Sequence, residues 1–162
     1  MEWEATLESC KLVEKLASDS LIFHQVIKRV WPSAQRDSCF WSHIRSFDQA
    51  GSSKSTGLKS WIVVNYSTDH ANAPLKDGIV RAQANVAMIC STEITNKKKE
   101  HNLSACTRDD IACNITYVSQ VNPGGWVPAK ALRAVYKNVY PKFVKGFGEF
   151  VIQKTKNKEI LF

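Results

Sequence analysis

The sequence predicts an α+β domain: an antiparallel β-sheet followed by one long helix. Three observations carry that expectation. Apolar residues recur with a period of two from Cys10 to about residue 120, polar turn-like segments separate the runs, and the period becomes helical after residue 126.

Six runs read as strands, at residues 11–16, 20–28, 38–47, 60–68, 80–94 and 111–121. Each is alternating or rich in β-branched and aromatic residues, as a pleated, half-buried strand requires. The links at 47–60 and 95–104 are polar, the first rich in small residues and the second in lysine, so both read as surface hairpin loops. Antiparallel neighbours need no longer connection.

Pro128 suits a first helical turn, and Leu132, Val135, Val139, Phe143, Phe147, Phe150 and Val151 then recur at helical spacing. A bend is expected at Pro141, which lacks an amide donor. Gly146 and Gly148 weaken the helix by about 1 kcal/mol each relative to alanine, so its apolar stripe has to hold it. That would suit an element that moves.

With 162 residues, 44% hydrophobic and 23% charged, the chain has the composition of one folded domain spanning 1–162. Disordered, fibrous and disulfide-only classes are excluded. The formal charge of +7 favours anionic partners, nucleic acid or acidic lipid. Eight of the basic side chains follow residue 129, against Glu149 and Glu159 alone. The N-terminal residues carry no export signal and no stretch is long enough to span a membrane. Cys10, Cys39, Cys90, Cys106 and Cys113 are odd in number without a C-x-x-C spacing, so free, mostly buried thiols in a reducing cytosol are expected, with no metal site and no cofactor. The glycosylation-type triplets at Asn65, Asn102 and Asn114 read as chance.

Alternation isolates three polar residues on apolar faces: Gln25 among Leu21, Phe23 and Ile27, Asn65 beside Trp61 and Val63, and Tyr117 beside Cys113 and Ile115. A buried amide or hydroxyl left unpaired costs roughly 1–3 kcal/mol. Either these groups satisfy one another, backbone or water, or they serve the polar head of an amphipathic ligand. Trp31 and Trp126 fall at turns beside proline or glycine. They are either lids over the core or anchors at a membrane interface.

The segments KRVWPSAQRD at 28–37, WIVVNYSTDHANAPL at 61–75, VRAQANVAMIC at 80–90, ITYVSQVNPGGWVPAKALRAV at 115–135 and YPKF at 140–143, with WEATLES near the start and the terminal ILF, resemble the START lipid-transfer domain. NVAMIC and ITYV…VNPGGW resemble its ceramide-binding branch, while the loops at 47–60 and 95–105 diverge. The resemblance implies a helix-grip fold, a curved antiparallel sheet wrapped around the C-terminal helix with a lipid between them. It implies ceramide contacts at Glu4, Gln25, Asn65 and Tyr117, and membrane contacts at Trp31 and Trp126. It further implies a non-enzymatic, cytoplasmic lipid carrier, peripheral at endoplasmic reticulum and Golgi membranes. A complete family domain has a helix, several strands and a head-group arginine that would precede Met1, so the chain resembles the C-terminal part of such a domain. Absence of those strands would leave a sheet edge unpaired. A phosphoinositide-binding PH domain and a membrane-targeting motif found in full-length relatives are not in this sequence.

Other readings are weaker. A lipid-sensing module, or a carrier of diacylglycerol, phospholipid or sterol, fits the same resemblance. No G-x-S-x-G or H-E-x-x-H motif is present, and Asp69-His70 reads as a turn ahead of Ala71-Asn72-Ala73-Pro74. His24, His43 and His101 stand apart in sequence, which gives no metal pattern. The lysines of the terminal helix read as a solvated face and not as a nucleic-acid site.

Overall fold

A computed structural model of the chain describes residues 4–48, 58–99 and 102–160. Most of the 47–60 loop, His101 and the last two residues therefore lie outside the described residues. The strands are β1 (Leu7–Ala17), β2 (Ser20–Ile27), β3 (Gln35–Asp48), β4 (Lys59–Ser67), β5 (Ile79–Arg81), β6 (Gln83–Ile94) and β7 (Ile111–Asn122). They form one sheet in the order β1-β2-β3-β4-β6-β7, with β5 pairing in parallel to β3 and all other pairs antiparallel. The expected run at 80–94 is thus two strands. Ala82 ends the first, where its amide turns to donate to the Asp37 carbonyl at 2.8 Å.

The terminal helix comprises α1 (Ala129–Ala134), a π-helical stretch at Val135–Val139, and α2 (Tyr140–Thr155). The wide turn lies just ahead of Pro141, so the helix absorbs the missing donor by local unwinding. Pro128 caps α1 from the preceding position.

The two faces of the sheet differ. On the outer face Ile22, Cys39 and Ala73 form a small buried cluster with Val13 and Trp41 against it. The segment 68–78 covers that cluster: Asp69 and His70 lie in a loop leading into a turn, closed by the Ala73 amide donating to the His70 carbonyl at 2.9 Å, and the His70 Nε2 is 2.6 Å from Glu14 Oε2 on β1. Beneath it the Asp37 carboxylate, 2% exposed, accepts from Arg81 Nε at 2.8 Å and Nη2 at 3.0 Å and lies 2.8 Å from His24 Nε2. His24 is therefore not isolated; its partner is thirteen residues away in sequence and adjacent across the β2–β3 pairing. The inner face meets the helix at Tyr117 and Ser119, and its apolar residues, Phe23, Phe40, Val63, Val86 and Met88 among them, are only half-buried. All five cysteines are free, and only Cys39 is buried. The expectation of mostly buried thiols fails because Cys90 and Cys113 occupy this more open inner face.

Candidate functional site

Strand register places the polar residues together. Gln25 pairs with Ser38, and two residues further along β3 at each step come Phe40 and Ser42; Ser42 pairs with Asn65, Asn65 with Val86, and Val86 with Ser119. Met88, two residues beyond Val86, pairs with Tyr117. Cross-strand partners share a face, so Gln25, Ser38, Asn65, Tyr117 and Ser119 all stand on the inner face. That face also meets the helix: the Tyr117 ring lies 5.6 Å from that of Phe143 and 6.3 Å from that of Tyr140, and the Ser119 and Tyr140 hydroxyls are 3.0 Å apart.

Some of these groups are unsatisfied. Asn65 Oδ1 and Ser38 Oγ are buried with no hydrogen-bond partner among the described residues. Asn65 and Gln25 therefore do not pair internally through that oxygen, which was one of the two alternatives open from sequence. Ser38 escaped the sequence reading because it opens its run, ahead of the apolar residues whose alternation makes a polar neighbour conspicuous. The strand begins three residues earlier, at Gln35.

Tyr117 keeps its proton. Burial, then the neighbouring Tyr140 phenol and the negative charge of Glu4, push its pKa up to about 12. It is consequently a hydrogen-bond donor at neutral pH. Glu4 precedes β1, where its Oε1 accepts from the Thr6 amide at 3.2 Å and from the Thr6 hydroxyl. Its charge reaches Tyr117, but its side chain is engaged in this local turn.

Trp31 and Trp126 are 83% and 70% exposed, so neither is a lid over the core. Trp31 precedes Pro32 through a cis peptide bond. Arg36, unnoticed in the sequence, connects the two loops. Its guanidinium donates to the carbonyls of Ala34 at 2.7 Å, Pro123 at 2.8 Å, Gly124 at 3.2 Å and Trp126 at 3.4 Å. The N-terminal segment joins the same end of the sheet, where Lys28 Nζ donates to the Ala5 carbonyl at 2.8 Å. Two exposed indoles therefore project beside the end of an apolar, partly unsatisfied trough.

A cavity of about 400 Å³ lies elsewhere, on the outer face, lined by Asp69, His70, Pro74, Leu75 and Arg81. Arg81 is already paired to Asp37 there, so this space belongs to the covering segment. Among the described residues no three His, Cys, Asp or Glu side chains converge as metal ligands, and no helix is long and apolar enough to cross a membrane.

Known proteins resemble the chain throughout. Over 161 residues it is 48% identical to the ceramide transfer protein of Xenopus tropicalis and 47% identical to that of Homo sapiens, in each case covering 99% of this chain and 25% of the relative. The chain thus spans about a quarter of the length of these curated relatives. Among solved structures, human StAR-related lipid transfer protein 5 superposes with a TM-score of 0.67 at 11% identity, over 94% of this chain and 63% of that one. Human STARD10 gives 0.64 at 18% identity, over 96% and 56%. These likenesses bear out the helix-grip arrangement. The START domain family model matches residues 1–157, and the chain belongs to that family.

Proposed function

We propose that this chain holds ceramide between the inner face of the sheet and the terminal helix and carries it between membranes without making or breaking covalent bonds. The observation that carries this reading is the buried, unpartnered Asn65 Oδ1 on the face where Gln25, Ser38, Tyr117 and Ser119 stand among apolar residues. An acceptor left in that state costs roughly 1–3 kcal/mol, which a ligand donor would recover. Ceramide combines an amide, two hydroxyls and two alkyl chains. Asn65 would bind the amide-hydroxyl region, Gln25 and Glu4 would bind the hydroxyls, and the protonated Tyr117 would complete the head-group site. Phe23, Phe40, Val63 and Met88 would line the chains. The 47–48% identity to ceramide transfer proteins supports that lipid over another.

Membrane contact follows in the same proposal. Trp31 and Trp126, on two loops that Arg36 ties together, would enter the interface of a bilayer. Basic residues near an anionic surface add about 1 kcal/mol each, which keeps contact reversible. Endoplasmic reticulum and Golgi membranes, approached from the cytoplasm, are the locations this reading assigns.

Movement of radiolabelled ceramide between vesicles tests it. Transfer above the protein-free rate, reduced by Asn65→Ala, is expected; no transfer, or equal transfer by the variant, overturns the reading. Mass spectrometry of lipid co-purified with the protein tests the alternatives, since diacylglycerol, phospholipid or sterol in place of ceramide would reassign the ligand.

A further inference from the structure

Two thiols meet on the inner face. In the β6–β7 register Cys90 pairs with Ile115 and Thr92 with Cys113, so the two cysteines are diagonal neighbours on one face of the sheet. Diagonal positions commonly lie about 7–8 Å apart, too far for a covalent bridge, but the right-handed twist of a strand pair shortens one of its two diagonals. Here the Sγ atoms are 2.6 Å apart, roughly 0.5 Å beyond the length of a disulfide bond. The other three cysteines are placed differently. Cys39 is buried on the outer face against Ile22 and Ala73, Cys10 pairs with Gln25 at the opposite side of the sheet, and the Cys106 Sγ contacts the carbonyls of Lys99 at 3.7 Å and Asn102 at 3.8 Å. The approach of Cys90 to Cys113 is set within one strand pair, so it does not depend on what lies along the far side of β7.

We propose that Cys90 and Cys113 form a reversible disulfide site, closed by a hydroperoxide and reopened by a small thiol. Burial, then the hydrogen bond and charge of Cys90, push the Cys113 thiol up to about 12, so Cys113 holds its proton at neutral pH and Cys90 meets the oxidant as the thiolate. The Cys90 sulfur attacks the peroxide and the O–O bond breaks; one oxygen stays on sulfur as a sulfenic acid and the other leaves, protonated, as water or an alcohol. The Cys113 sulfur then attacks that of Cys90: the S–S bond forms, the S–O bond breaks, and the hydroxyl departs as water with the Cys113 proton. Two thiols have then lost two electrons, which the peroxide has gained. Two equivalents of a small thiol return electrons and protons together. The closed bond ties β6 to β7 two residues from Met88 and four from Tyr117, and its formation requires no lipid.

Titration of the reduced, folded chain with hydrogen peroxide tests it, followed by alkylation, trypsin digestion and mass spectrometry without reductant. The expected product links the peptide 82–97, which holds Cys90, to 109–130, which holds Cys113, at least about tenfold over every other cysteine pairing. Dithiothreitol should undo it. In urea, where only separation along the chain decides, Cys106 and Cys113 are closer in sequence and their link should overtake it. Cys90→Ser and Cys113→Ser should each abolish the bond. Oxidation of Cys90 to sulfinic acid without the link, other pairings formed to the same extent in the folded chain, or the same preference kept in urea overturns the proposal. Mapping on the unaltered chain decides between these outcomes even if a variant does not fold.

Discussion

Arg36 donates from Nε to the carbonyl of Pro123 at 2.8 Å, a bond spanning 87 residues that fixes the start of β3 to the loop carrying Trp126. Further bonds to the carbonyls of Ala34, Gly124 and Trp126 occupy both terminal nitrogens. One guanidinium therefore ties together the backbones of the two loops that carry the exposed indoles.

Arg36→Ala should separate those loops. Hydrogen bonds from a charged donor contribute about 1.5–3 kcal/mol, and several backbone carbonyls lose theirs together. Vesicle association, followed by tryptophan fluorescence, is expected to weaken while lipid affinity in solution is largely kept. Equal loss of both would show that Arg36 supports the trough itself.

Gly124→Ala attacks the same loop sterically. Its φ is +62°, and an added Cβ would lie 2.9 Å from Val80 Cγ1 and 3.0 Å from the Arg81 carbonyl oxygen. The loop has to shift away from β5. Reduced vesicle association with a lower melting temperature is the expected outcome, and a variant indistinguishable in both would contradict the packing.

Asp37→Ala should cost about 3–5 kcal/mol, read by urea denaturation, because it strands the buried Arg81 without its partner. The same carboxylate governs acid stability. Burial alone would raise its pKa, but hydrogen bonds from Arg81 and His24 outweigh that and hold it below the ordinary value. Asp110 is held well below its ordinary value by Lys99, the Thr107 amide and hydroxyl, and Asn96. Both groups have folded-state values under their unfolded ones, so their stabilisation is complete above about pH 4 and is lost as pH falls further. Urea midpoints should be level through that upper range and drop below it.

Tyr117 predicts an alkaline signature. Its pKa near 12 lies above the ordinary value near 10, so between those pH values the unfolded chain has lost a proton that the folded chain keeps. Stability should fall as pH rises through that window. In an ultraviolet titration of the four tyrosines, one is expected to ionise last. Tyr117→Phe should remove that step and Glu4→Gln should move it to lower pH.

How much was legible in the sequence depended on range. Gln25, Asn65 and Tyr117 were found because regular pairing between neighbouring strands preserves the period of two, so alternation alone assigns the face. Ser38 was hidden by its place at the start of the run. Arg36 was invisible because its partners are backbone carbonyls, which leave no pattern in residue type. The break at Ala82 was missed since β5 and β6 share one apolar run, and only a bond to Asp37 interrupts it. His24 looked isolated because Asp37 and Arg81 come to it through the sheet.

Asn65→Leu separates a structural role from a ligand role. If the amide existed to hold the fold, replacing it would expose lost hydrogen bonds and lower stability. In the lipid-free chain, however, Oδ1 is already buried without a partner, so an apolar side chain of similar size removes an uncompensated desolvation cost. The lipid-free variant should therefore match or exceed the parent in urea, while ceramide binding falls about tenfold or more through loss of a hydrogen bond worth roughly 1.5 kcal/mol. Opposite signs in the two measurements would mark Asn65 as a residue kept for its ligand at the expense of the fold. A variant that loses stability and keeps ceramide affinity would assign it to the fold instead.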